Sequence, residues 1–185
     1  MRSLPILLML LACAAPALGA RENDSQSLSF VDQRGARFTL GALHGRPSLV
    51  TFVATRCSDA CPIATALFSR LRDRLRHDRI GVTLVEFTLD PEYDTPFVMQ
   101  RYARTYGAGT LGDWKFASGT PADVSALMHA FGVTVRRGSG GVPDVHSGFV
   151  YILNEQGHLA HTLPLSTNLV SEALHALRPV AVRGN

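Results

Sequence analysis

Ser48-Leu49-Val50-Thr51-Phe52-Val53-Ala54, followed by Thr55-Arg56-Cys57-Ser58-Asp59-Ala60-Cys61-Pro62, decides the fold. The first seven residues are a short, β-rich apolar run, the pattern of a central strand buried on both faces. Thr55 to Cys61 then reads as a loop. Pro62 suits the first turn of a helix, where its missing N–H costs nothing. Ile63, Leu67, Leu71 and Leu75 recur at helical spacing and carry that helix to about His77. Two thiols therefore bracket a strand-to-helix turn.

Downstream the pattern alternates. Val82 to Leu89 is a second strand. Asp90 to Pro96 breaks it and opens a helix, with Asp94 or Thr95 as N-cap, ending near Tyr106-Gly107. Trp114 to Ala117 is a third extended segment. Thr120 caps the next helix, whose apolar face is Ala126, Leu127, Ala130 and Phe131, and Gly132 closes it. Residues 134–146 carry Gly138, Gly140, Gly141 and Pro143 and read as a loop. Gly148 to Leu153 and His158 to Leu163 are strands around the turn Asn154-Glu155-Gln156-Gly157. A last helix spans Ser166 to Leu177. Upstream, Leu28–Val31 and Arg37–Leu40 form a hairpin around Asp32-Gln33-Arg34-Gly35. The order predicts an α/β chain with a thioredoxin-like fold: a central mixed β-sheet flanked by helices, with an N-terminal β-hairpin. Alternating strands and helices imply right-handed crossovers. In such sheets chemistry collects at the carboxyl ends of the strands, where Cys57 falls.

The chain has 185 residues, 46% hydrophobic and 18% charged, with a formal net charge of +3. That is one domain with enough apolar content for a packed core. Arg70, Arg72, Arg74, Arg76 and Arg79 read as the solvated face of a helix. No basic patch with aromatic or motif support points to nucleic acid. Residues 1–20 read as a secretory signal: Arg2, the apolar run Leu4 to Leu11, then small residues to Ala20. Leu10-Leu11-Ala12-Cys13 also loosely matches a lipoprotein cleavage site, which would end the signal before Cys13 and make that residue a lipid anchor. Residues 21–27 are a flexible polar lead-in and 28–185 the folded domain. The expected location is the periplasm, with membrane association only if Cys13 is lipidated.

The mature domain then keeps two cysteines, Cys57 and Cys61. A bridge between them would close a very small loop and stabilise the fold little. A helix N-terminus stabilises thiolate, and Arg56 is expected to add to that. Thiolate is the form that binds metal or attacks a disulfide. Two soft sulfurs favour Cu(I), and an added imidazole lets Cu(II) bind as well. Of seven histidines, His44, His77, His129, His158, His161 and His175 read as ordinary polar residues of loops, helices and the second hairpin strand. His146 stands at the end of the Gly-rich stretch, immediately before a strand whose start abuts the active-site turn in thioredoxin-like topology.

Four segments together carry a resemblance. Cys57-Ser58-Asp59-Ala60-Cys61-Pro62, Thr88-Leu89-Asp90-Pro91-Glu92-Tyr93-Asp94-Thr95-Pro96, Trp114-Lys115-Phe116-Ala117-Ser118-Gly119 and His146-Ser147-Gly148-Phe149-Val150-Tyr151 resemble, in order and spacing, the Sco/SenC family of copper-binding assembly factors for cytochrome c oxidase. The likeness covers about residues 28–178. It implies copper, as Cu(I) or Cu(II), held by Cys57, Cys61 and His146, with Asp90 and Asp94 as turn-forming residues or as an outer layer around the metal. Val145 stands where the family often has Asp before the histidine, with Asp144 one residue further back, a departure that bears on the hydrogen bond orienting the imidazole and removes no ligand. The resemblance also implies a metallochaperone that delivers copper to the dinuclear site of oxidase subunit II, or receives it from a periplasmic copper donor. The same redox-active pair, Cys57 and Cys61, leaves a periplasmic thiol–disulfide oxidoreductase without obligate metal as the alternative. A peroxidase of the peroxiredoxin type is a third reading, disfavoured because Thr55 is two residues, not three, before Cys57.

Overall fold

In the computed structural model, residues 25–108, 112–146 and 148–181 are described, the side chains of 144–146 and 179–181 excepted. Residues 1–24, with the expected signal and Cys13, lie outside them. Among the described residues nine strands follow in chain order: β1 Ser29–Asp32, β2 Arg37–Thr39, β3 Ser48–Val53, β4 Thr83–Thr88, β5 Trp114–Gly119, β6 Val135–Arg137, β7 Pro143–His146, β8 Phe149–Leu153 and β9 Leu159–Pro164. The helices are α1 Ala60–His77, α2 Pro96–Thr105, α3 Pro121–Ala130 and α4 Leu169–Ala181.

Seven strands form one sheet in the order β2-β1-β5-β4-β3-β8-β9. β3, β4 and β5 are parallel neighbours, with Thr51 opposite Glu86 and Phe87 opposite Ala117. β1 and β8 flank them antiparallel. Every residue of β3 and β4 is buried, because helices and aromatic side chains cover both faces. On one face Thr65 of α1 and Tyr102 of α2 converge over Glu86, and α4 packs against α1. On the other face Phe131, just after α3, meets Phe52 and Tyr151, and Phe30 meets Phe87 edge-on. Each such ring contributes roughly 1.5–3 kcal/mol by burial. Gly119 is favoured where it stands opposite Phe30 in the β1–β5 pair: a Cβ there would stand 2.9 Å from the Phe30 ring. This is the thioredoxin-like sandwich that the element order predicts.

The ends of the helices follow local chemistry. Thr95 caps α2 by accepting from the Val98 N–H, and Thr120 caps α3 by accepting from Asp123 N–H at 3.1 Å, each followed by Pro at the first helical position. α1 begins at Ala60, two residues before Pro62, and ends at His77 as expected. Of the arginine run, Arg70, Arg74, Arg76 and Arg79 are exposed. Arg72 is not a solvated residue: its guanidinium lies 5.0 Å over the Trp114 ring, where its stem covers apolar surface.

Residues 134–146 correct the sequence reading. They are not an irregular loop but a separate two-stranded ribbon, β6 with β7, turned by a 3-10 segment at Ser139–Gly141. Gly140 and Gly141 take φ of 70° and 71°, which glycine adopts without strain. Pro143 is the first residue of β7 and stands opposite Arg137, where the register shifts, a position at which a strand tolerates proline. The dense glycine and proline of this stretch mask two strands of three and four residues.

Candidate metal and thiol site

β3 delivers the chain to the carboxyl edge of the sheet, and residues 54–59 turn it into α1. Cys57 N–H donates to the Ala54 carbonyl at 3.1 Å, closing that turn. Ala54 N–H in turn donates to Cys61 Sγ at 3.3 Å. Both cysteines are thiols in the structure. Their surroundings differ. Cys57 is 7% exposed and Cys61 is 0% exposed. Burial pushes the Cys57 thiol up, but the N–H groups of Cys61, Asp59 and Ala60 and the Cys61 thiol outweigh it and bring Cys57 below its ordinary value. Burial pushes Cys61 far above the ordinary range; the Ala54 N–H offsets part of this, and the negative charges of Cys57 and Glu86 add to it. The rim sulfur is thus the more readily deprotonated of the two, and the other is a thiol sealed beneath it.

Two aspartates brace the loop from the β4–α2 connection. Asp94 is buried and accepts from the Thr55 backbone N–H at 3.2 Å, from the Thr55 hydroxyl and from Thr88 Oγ1 at 2.7 Å. Burial raises its carboxyl in spite of these donors. Asp90 accepts from Arg56 Nε at 3.0 Å and Nη2 at 2.6 Å. Both therefore reach the loop through the two residues that precede Cys57. Arg56 corrects an expectation. Its charge is committed to Asp90, its guanidinium lies 4.4 Å over the Tyr93 ring, and the leading influences that lower the Cys57 thiol are backbone N–H groups and Cys61 instead.

His146 ends β7, with Val135 as its Cα partner; its side chain lies outside the described residues. β8 runs antiparallel to β3, with Tyr151 opposite Val50, and Thr51 Oγ1 donates to the Phe149 carbonyl at 2.9 Å. The start of β8, and with it the end of β7, lies at the edge of the sheet that carries Cys57. The backbone thus directs residue 146 to the cysteine end. The other six histidines are exposed, and His44 and His77 bond Gln26 and Asp78. Among the described residues no group of three His, Cys, Asp or Glu side chains forms a complete metal site.

One set of polar residues near the thiols escaped the sequence reading. Glu86, in the middle of β4, is fully buried. Its carboxyl accepts from Thr65 Oγ1 at 2.7 Å and Trp114 Nε1 at 3.1 Å. Thr65 Oγ1 also bonds the Cys61 carbonyl, one turn back along α1, at 3.1 Å and meets the Tyr102 hydroxyl at 3.0 Å. Burial, only partly offset by Thr65 and Trp114, pushes the Glu86 carboxyl up to about 8. The signal was present: a charged residue inside the apolar run Val82–Leu89.

Among the described residues no helix is long and apolar enough to cross a membrane. The SCO1 protein homolog of Bacillus subtilis is 26% identical over 155 residues, which is 82% of this chain and 80% of that protein. The structure of Bradyrhizobium japonicum ScoI with copper bound superposes with a TM-score of 0.71 at 24% identity, over 82% of this chain and 96% of that one. BsSco, a member of the Sco family of cytochrome c oxidase assembly proteins in which a disulfide switch is described, superposes with a TM-score of 0.68 at 24% identity, over 81% and 91% of the two chains. These structures share the fold with this chain, and a family model decides the kinship. It spans residues 18–181 and takes in the cysteine turn, the Asp90–Asp94 brace and the strand ending in His146: the chain belongs to the SCO1/SenC family.

Proposed function

We propose that this protein is a copper metallochaperone, with Cys57, Cys61 and His146 holding one copper ion as Cu(I) or Cu(II). The observation that carries the reading is the pair of unlike thiols at the carboxyl edge of the sheet, where β7 also ends at residue 146. The rim sulfur, the more acidic of the two, can capture the ion. The buried thiol then gives up its proton to the metal, because a cation supplies the stabilisation that water cannot. The kinship with copper-bound ScoI supports copper as the cargo. Its destination is the dinuclear copper centre of cytochrome c oxidase subunit II, its source a periplasmic copper donor, and its place the periplasm after removal of residues 1–20. A ligand set at a loop edge suits transfer, since an incoming thiolate can reach the metal. Copper titration of the reduced protein should show a stoichiometry near one, and the Cu(II) form should show a thiolate-to-copper charge-transfer band. Wild-type binding in a Cys57→Ser, Cys61→Ser variant overturns the reading.

The contrast between the thiols also favours a second activity, reduction of a disulfide in the copper acceptor. Cys57 thiolate attacks one sulfur and forms a mixed disulfide. Cys61 loses its proton and attacks Cys57, which releases the acceptor as a dithiol and leaves a Cys57–Cys61 disulfide. His146→Ala separates the two activities: copper binding falls, and disulfide exchange survives.

A further inference from the structure

The β6–β7 ribbon carries residue 146 at its end and is a sheet separate from the seven-stranded one. How the ribbon is held therefore bears on where the imidazole can stand. Arg137, the last residue of β6, makes three bonds. Its Nη1 donates to the Gly141 carbonyl at 2.8 Å, inside the ribbon's own turn. Nη1 also donates to Asp90 Oδ1 at 3.2 Å, and Nη2 donates to the Leu89 carbonyl at 2.9 Å. The last two acceptors lie at the end of β4, outside the ribbon.

Asp90 is the junction. It is 3% exposed, and its backbone N–H is fixed by Thr88 Oγ1 at 2.8 Å. One carboxylate oxygen receives Arg56, from the cysteine loop, and the other receives Arg137, from the ribbon that ends in His146. Two guanidinium groups, 34 and 47 residues away in sequence, share a single carboxylate. Removing Arg137 leaves Asp90 still paired with Arg56, so no buried charge is stranded. The contact spans the cysteine loop and the ribbon that ends in residue 146.

We propose that Arg137 is a positioning residue for the third copper ligand: through Leu89 and Asp90 it docks the β6–β7 ribbon against the cysteine loop and sets the reach of His146. The inference rests on the copper reading above. Without the dock, the imidazole must be ordered at the moment of binding, and affinity falls. Loss of a partner in the outer layer around a metal typically costs about 10- to 100-fold in affinity.

The test is a double-mutant cycle on the reduced protein, with copper affinity measured for wild type, Arg137→Ala, His146→Ala and the double variant. R137A should weaken binding about 10- to 100-fold. In the H146A background the same substitution should add nothing, because the ligand it positions is gone. The Cu(II) form of R137A should keep its thiolate charge transfer and lose imidazole nitrogen coupling in its electron paramagnetic resonance spectrum. An R137A variant that binds copper as wild type does, or that costs as much in H146A as in wild type, overturns the proposal. If H146A alone leaves binding unchanged, the ligand assignment fails and the proposal falls with it. A weakened H146A beside an unaffected R137A sinks the positioning role alone. Should R137A not fold, R137Q is measured in the same cycle, with the same outcomes decisive.

Discussion

Cys57 and Cys61 flank one helix start, yet the fold drives their chemistry in opposite directions. Cys57 faces the N–H groups that α1 leaves unpaired, and they make it more acidic than an ordinary thiol. Cys61 lies one turn deeper, above the Glu86–Thr65 pair, with no exposed surface. A helix N-terminus helps only the sulfur that its donors face, and for the other sulfur burial wins. In the proposed chemistry this contrast orders the pair: the outer sulfur reacts first, and the inner one follows when a cation or a bond to sulfur replaces its proton.

The largest test of this contrast is single-cysteine alkylation. At neutral pH, C57S should leave Cys61 labelling slower than Cys57 in C61S by on the order of a hundredfold or more, since each unit of pKa difference lowers the thiolate fraction about tenfold. Comparable rates in the two variants would erase the distinction.

Glu86 offers the next test, because it lies on the buried side only. Its carboxyl sits at about 8 in the fold against an ordinary 4.5. Between these values the folded chain holds a proton that the unfolded chain has lost. This group's contribution to stability therefore falls as pH rises through the window, by about 1.4 kcal/mol per pH unit, and levels off above the upper value. Glu86→Gln keeps the shape and should remove that slope in denaturant melts between pH 5 and 8, while leaving Cys57 alkylation unchanged. An unaltered slope in E86Q would show that the buried side does not titrate as described.

The smallest effect is expected at Arg56. Its charge is taken up by Asp90 and the Tyr93 face. Arg56→Ala should change the Cys57 alkylation rate by less than about twofold, since a cation already paired at the surface projects little further field. A large drop in rate would return Arg56 to the thiolate and shift credit away from the helix donors.

The parts legible beforehand were those written in local pattern. The run Ser48–Ala54 named the central strand, the Leu67–Leu71–Leu75 spacing carried α1 to His77, and Thr-Pro placed the cap of α3. The cysteine pair and its place after a strand were equally visible. The β6–β7 ribbon was hidden because its strands are shorter than a periodicity can register and its turn is crowded with glycine. Arg137 and Glu86 could not be ranked, since an arginine beside a glycine run and a glutamate in a strand acquire meaning only from partners far along the chain.

The sequence by itself determined the order of elements, the two sulfurs and the histidine that lies ahead of β8, because hydrophobic spacing and turn chemistry act over a few residues. Only the tertiary structure decided that one thiol is lowered and the other raised, and that a single aspartate receives arginines from both the loop and the ribbon. Those outcomes depend on depth and on donors and charges brought together from distant segments. Neither is a property of any short stretch of chain.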